Sequence, residues 1–207
     1  MRCSVVVVVH QNYKPLLETA LNSISISRDD EIVVVANGCH ITPTEGYKVV
    51  HCEGTLAHAC NEGIKVAEGR YILRVDSDDW VEPELITSLA AELEHTGYDA
   101  IWCDYMRAEQ VGDGKGWQSY VIEPFPQDGL EHACGVMFKR GIWENLGGYD
   151  DNLEFQESFD FWKRFKKAGY KSGRLSVPLY YYRKHPGSMS TSPARECARA
   201  MIEAKYS

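Results

Sequence analysis

Three runs of strand length, SVVVVV (Ser4–Val9), EIVVVANG (Glu31–Gly38) and YILRV (Tyr71–Val75), alternate with segments whose apolar residues recur at helical spacing. Runs so rich in valine and isoleucine predict strands buried on both faces. Leu17, Leu21 and Ile24 follow Pro15 and predict a first helix. Leu56 to Ala67, stopped by Gly69, predicts a second, and Leu85, Leu89 and Leu93 after Pro83 a third. YKVVHC is a short strand, and YDAIWCDY (Tyr98–Tyr105) a longer one. This alternation predicts an α/β fold with a mostly parallel central sheet flanked by helices. In such sheets ligands bind at the carboxyl ends of the strands.

The second half is less regular. GDGKGW (Gly112–Trp117) and EPFPQDG (Glu123–Gly129) read as loops. Phe155, Phe159 and Trp162 mark one face of a helix running to Ala168 and closed by Gly169. LSVPLYYYR is strand-like but contains Pro178, which predicts an edge position. Ser192 and Pro193 predict the cap and first turn of a C-terminal helix. The 207 residues suit one domain, residues 1–207, and 44% hydrophobic content suffices for a core.

YILRVDSDDW drives a buried run into Asp76, Asp78 and Asp79, with Ser77 between them. Close carboxylates repel and raise one another's pKa unless a cation sits among them. Mg2+ or Mn2+ takes oxygen ligands, typically one or two carboxylates plus substrate phosphates. The cluster therefore reads as a metal–phosphate site. The plainer reading is a solvated turn that caps the helix after Pro83. The strand–helix alternation favours the first, because it sets the acids at a strand's carboxyl end.

VVVVVHQNYKPLLETALNSI, EIVVVANG, NEGIKVAEGRYILRVDSDDWVEPELI and GGYDDNLEFQESFDFWKRF occur in this order, with YYRKHPGSMS near the end. Together they resemble the family 2 glycosyltransferases of the GT-A fold, a Rossmann-like nucleotide-diphospho-sugar transferase fold. The resemblance implies an inverting transfer from a nucleotide-diphosphate sugar, a UDP-sugar being favoured, to a carbohydrate or other hydroxyl acceptor in glycan or polysaccharide synthesis. It implies residues 1–105 as the donor-binding half, with residues 106–207 as the acceptor half and C-terminal helix.

Carried over residue by residue, Asp78 ligates Mn2+ or Mg2+. Asp76 contacts the ribose or the metal's water shell, and Asp79 faces a sugar or caps the helix. Ser77 lies between them against the donor. Val9 and His10 match the end of the strand that meets the nucleobase. The family usually has two acids near Ala36 and Asn37; here Asn37 alone can read a base. Gly54 and Asn61 match a loop and helix start beside the nucleotide, although the gap is one residue longer than usual and Cys60 stands near a common Arg. Glu157 matches the first acid of the family's acid–aromatic–Trp segment and is the expected base, with Asp160 in reserve. Ser158 replaces the middle acid. His132, Ala133, Cys134 and Gly135 match a segment lining the sugar pocket, Gly135 letting backbone approach the ligand. Arg183 and His185 fall on the closing loop that approaches the diphosphate and metal, with His185 a third metal contact. Residues 111–129 are an expected lid. Arg74 reads as structural.

Two other classes compete. A nucleotidyltransferase would also use acids and metal, but HQNYKP lacks the glycines of a phosphate loop. A degenerate domain that binds without turnover is kept open by Ala36 and Ser158. A zinc site from Cys39–His40, His51–Cys52 and His58–Cys60 lacks CxxC and HxxxH spacing. The net charge of -8 argues against nucleic acid as partner. Seven cysteines without a secretory signal suggest reduced thiols and a cytoplasmic location. Val5–Val9 is too short for a membrane span, and no apolar run reaches the roughly 20 residues one needs. Peripheral membrane contact stays open, as does the oligomeric state.

Overall fold

β1 (Cys3–His10) runs through the middle of the molecule, and its valines explain why. Its side chains alternate between two apolar layers. Val5, Val7 and Val9 pack with Leu17, Leu85 and Leu89, whereas Val6 and Val8 pack with Ile64, Phe161 and Trp162. A strand covered on both faces favours apolar side chains throughout its middle. β1 pairs in parallel with β2 (Glu31–Asn37) on one side and β4 (Tyr71–Asp76) on the other; β3 (Lys48–Cys52) adds in parallel outside β2. This computed structural model describes residues 2–111, 119–125, 134–185 and 192–206.

A 3-10 turn over Gln11–Leu16 leads into α1 (Leu17–Ser23), so Pro15 belongs to that turn and not to the helix. α2 (Leu56–Val66) starts at Thr55, whose Oγ1 accepts the His58 N–H at 3.1 Å. α3 (Leu85–Thr96) ends on Gly97 in the left-handed region, φ 69°. β5 (Trp80–Val81) follows the acids, and β6 (Ala100–Val111) and β7 (Ser119–Phe125) form an antiparallel pair. β8 (Val136–Lys139), α4 (Arg140–Leu146), α5 (Glu157–Lys167), β9 (Ser172–Lys184) and α6 (Ala194–Lys205) complete the described chain.

The strand order is β3-β2-β1-β4-β8-β6-β9-β5, with β7 on β6. The first four strands in this order are parallel; β8 enters antiparallel between β4 and β6. β2 and β3 lie to one side of β1 and β4 to the other, so the winding reverses between β1 and β4. Such a reversal opens a crevice at the strand ends. Val8 stands opposite Asp76 there, one residue before Val9 and two before His10.

Several elements differ from the sequence reading. Glu123–Phe125 is strand, not loop: Pro124 lies opposite Met106 in β7, and an edge strand tolerates a missing N–H donor. Gly112–Trp117 lies outside the described residues. The strand with Pro178 is not at the edge, because β5 covers Tyr180 and Tyr181. Its proline is accommodated where the register with β6 slips between Cys103 and Asp104. Ser192 caps no helix through its side chain; its carbonyl accepts the Arg195 N–H at 3.1 Å. Among the described residues no helix is long and apolar enough to cross a membrane.

Candidate active site

β4 delivers Asp76 to the crevice, and the chain then turns sharply, the Asp79 N–H donating to the Asp76 carbonyl at 3.1 Å. The turn brings ligand atoms of Asp76, Asp78 and Asp79 within 4.8 Å of one another. Burial and the neighbouring Asp76 push the Asp78 carboxyl above its ordinary pKa. Burial, Asp78 and Asp76 push Asp79 well above. This is the electrostatic conflict expected of acids gathered without a full complement of positive charge. Among the described residues it is the group of three or more such side chains placed to share a cation. Its hard carboxylate oxygens fit Mg2+ or Mn2+ better than a soft-ligand metal. The His40 and His51 rings stack at 5.4 Å, but the Cys–His pairs assemble no comparable group among those residues.

Asp79 is bonded into the fold. It is 1% exposed; its Oδ2 accepts from the Tyr180 hydroxyl at 2.7 Å and its Oδ1 from the Arg183 N–H at 2.7 Å. Asp79 thus fastens the turn to β9 and leaves the crevice to Asp76 and Asp78. Ser77 is buried between them. The same strand carries Arg183 and His185 to the acids. The Arg183 guanidinium donates to the Asp78 carbonyl and lies over the Trp80 ring at 4.8 Å. His185 Nε2 is 3.0 Å from Asp78 Oδ2. Tyr13, which the sequence reading missed, meets His185 edge-on at 5.6 Å. Burial and the charges of Asp78 and Asp76 raise its phenol pKa. Its position in the turn after β1 was the available signal.

Glu157 and Arg74 are buried beside Asp76. Arg74 is buried between two acids: its Nε and Nη2 reach Asp76 Oδ1 at 3.0 and 2.9 Å, while Nη1 reaches Glu157 Oε1 at 2.8 Å. Ser158 Oγ also donates to Glu157 Oε1, at 3.0 Å. α5 begins at Glu157 because Gln156 takes a left-handed conformation, φ 65°, that turns the chain into the helix.

Asp160, the reserve base, is committed elsewhere. Its Oδ2 accepts from Arg164 at 2.8 Å, and its Oδ1 from the Tyr206 hydroxyl at 2.8 Å and Lys205 at 3.2 Å. Burial alone would raise this carboxyl, but those bonds outweigh it and hold the pKa below the usual range. With Asn61, Trp143 and Tyr149 it lines an open cleft of about 480 Å³ to which Asp76, Asp78 and Glu157 do not contribute.

Asn61 is likewise withdrawn from the donor side. Its Nδ2 donates to the Tyr149 carbonyl at 2.9 Å and Asp151 Oδ1 at 2.6 Å; its Oδ1 accepts from Trp143 Nε1 at 3.0 Å and Tyr149 N–H at 2.9 Å. Those bonds exhaust an amide's capacity. Asn61 ties α2 to the segment between α4 and α5. Asn37 is also occupied: Nδ2 donates to the Gly54 carbonyl and Oδ1 accepts the Gly54 N–H, both at 3.0 Å. The structure thus pairs two expected site residues with each other, and Asn37 shapes the Gly54 loop where a free amide was expected to read a base. Val9 is buried, and its carbonyl accepts from the Cys39 thiol at 3.4 Å. His10 is exposed, and its Nδ1 lies 3.5 Å from the Asn12 N–H. Ala36 lies in the core beneath these strand ends, where an acid would be buried.

Gly135 has φ 65°, and a Cβ there would meet Tyr105 Cε1 at 2.7 Å, so the missing side chain lets that ring approach the backbone. His132, Ala133 and most of the expected 111–129 lid lie outside the described residues.

A sheet parallel in its first half and mixed in its second, with an Asp-x-Asp-Asp turn where the winding reverses, defines the GT-A glycosyltransferase architecture. The structure of S. aureus TarS 1–349 in complex with UDP-GlcNAc is similar, with a TM-score of 0.73, 19% identity, and coverage of 99% of this chain and 66% of that one. The sequence model described as "Glycosyl transferase family 2" matches residues 4–142, and the chain belongs to that family. It is 26% identical over 234 residues to the "Uncharacterized glycosyltransferase EpsJ" of Bacillus subtilis (strain 168), covering 97% of this chain and 67% of that protein. It is 26% identical over 183 residues to the "Putative glycosyltransferase EpsH" of the same organism, covering 81% and 48%. The chain thus spans between about half and two thirds of the length of these relatives.

Proposed function

We propose that the chain is a metal-dependent, inverting glycosyltransferase. It moves a sugar from a nucleotide-diphosphate donor, a UDP-sugar being favoured, to a hydroxyl of a carbohydrate or other acceptor in glycan or polysaccharide synthesis. The observation that carries this reading is the gathering of Asp76 and Asp78 with Glu157 across one buried Arg74 at the crevice. Membership of the family supports transfer of a sugar, and the UDP-GlcNAc bound by TarS supports a nucleotide-sugar donor.

Asp78 and Asp76, with His185 alongside, would hold Mn2+ or Mg2+, which as a Lewis acid neutralises a leaving diphosphate. His10, exposed at the end of β1, is available to stack on a base. Glu157 takes the proton of the acceptor hydroxyl. The acceptor oxygen bonds to the anomeric carbon as the opposite carbon–oxygen bond to phosphate breaks, inverting that centre. Arg183 stays beside the leaving group.

One observation favours a second reading, a domain that binds donor without turnover: Arg74 and Ser158 both already bond to Glu157 Oε1. A single experiment separates the two. UDP-, GDP- and dTDP-sugars are screened by thermal shift with and without Mn2+, and release of nucleotide diphosphate is measured for each stabilising donor. A ligand at about 100 times its Kd adds roughly 2.7 kcal/mol, a readable shift. Stabilisation with release supports the transferase. Stabilisation without release under any acceptor supports the binder, and no stabilisation by any nucleotide sinks both.

A further inference from the structure

Arg74 leaves β4 two residues before Asp76, so both side chains project from the same face of the strand. Arg74 is 4% exposed, and a buried charge is costly unless it is paired and hydrogen-bonded. It is paired twice. One edge of the guanidinium, Nε and Nη2, grips Asp76 Oδ1, while Nη1 holds Glu157 Oε1 at 2.8 Å and lies 3.4 Å from Ser158 Oγ. A single rigid plane therefore has a candidate metal ligand at one end and the candidate base at the other. Two carboxylates share one positive charge, so neither is fully neutralised. Glu157 cannot swing away without leaving Arg74 under-compensated in a buried place.

The geometry points to Arg74 as a positioning residue that couples the acidic turn to Glu157. It holds the two carboxylates at one spacing, and it transmits a change of charge at either to the other. This rests on the transferase reading above, in which Asp76 meets a divalent cation and Glu157 is the base. A lysine does not replace it, because an ammonium is a point charge without the fork that spans two partners. Coupling between sites is reciprocal in binding free energy. It is therefore measurable at the turn without any turnover.

The test uses Mn2+ alone as probe, its affinity for the full chain read by electron paramagnetic resonance. Four proteins are compared: the natural sequence, Glu157→Gln, Arg74→Lys, and both substitutions together. With Arg74 present, Glu157→Gln frees the guanidinium to neutralise Asp76 more fully, and Mn2+ binding weakens by about fivefold, the low end of couplings between sites. In the Arg74→Lys background the same Glu157→Gln change moves the affinity by less than about twofold, because the shared fork is gone. Equal effects of Glu157→Gln in both backgrounds overturn the coupling while leaving the metal site standing. Absence of Mn2+ binding by the natural sequence overturns the metal-dependent reading and the coupling with it. Circular dichroism checks folding, and Arg74→Gln takes the place of Arg74→Lys if the lysine variant does not fold.

Discussion

The Tyr180 hydroxyl donates to Asp79 Oδ2 at 2.7 Å and accepts the Asp76 N–H at 3.1 Å, so a single phenol on β9 fastens both ends of the acidic turn. Tyr180→Phe keeps the ring packing against Tyr105, 4.9 Å away, and removes only the hydroxyl. It leaves a buried carboxylate short of a donor, which costs about 1–3 kcal/mol. Urea unfolding should show that loss. An unchanged midpoint would mean that the turn is held without β9.

Asp78 is the acid whose carboxylate stands with Asp76 in the crevice, while Asp79 is bound into the fold. Asp78→Asn removes the charge but keeps the shape. It should weaken Mn2+-dependent UDP binding by at least about tenfold, since even outer partners of a metal ligand are worth that much. Calorimetry with UDP, with and without Mn2+, measures it. Unchanged affinity refutes the ligand role.

Glu157→Gln should retain donor binding and lose transfer by about 10²–10⁴-fold, the usual contribution of a general base. Initial rates at saturating donor provide the measurement. Retained turnover would move the base off α5 altogether, because Asp160 is already engaged by Arg164, Lys205 and Tyr206.

Those same bonds depress the Asp160 carboxyl, which fixes the sign of a pH effect. As pH falls, the unfolded chain takes up this proton before the folded one does. The stabilisation is fully present above about pH 4, the ordinary carboxyl value, and is lost as pH drops through the lower folded value. Asp160→Asn should be less stable at neutral pH, by roughly 1–3 kcal/mol for charged partners left unpaired. Its stability should also fall less steeply below pH ~4. Parallel urea-midpoint curves for the two proteins between about pH 3 and pH 7 would contradict this.

Parts of the site were legible in the residues and parts were not. Asp76 and Asp78 were legible because they end a strand whose place in the sheet follows from its apolar run, and β9 sets Arg183 and His185 against Asp78. Asn61 and Asp160 sit at matching positions, and their side chains are hydrogen-bonded to distant parts of the fold. Asn61's partners Trp143 and Asp151 lie 82 and 90 residues away, so no local pattern announces them. The link from Arg74 to Glu157 was hidden for the same reason, since that partner is 83 residues along the chain. β8 went unread because four residues carry too little periodicity, and β7 because its proline resembled a loop.

The amino-acid order by itself determined the parallel half-sheet, its three flanking helices and the acidic turn, because valine runs, leucine spacing and a strand-ending carboxylate cluster are local signals with local physical causes. Tertiary structure alone decided which carboxylates face the crevice and which are consumed by the fold. That choice depends on donors from β9, α5 and α6, which only packing brings beside them, and a hydrogen bond forms between atoms a few ångströms apart however far separated they are along the chain.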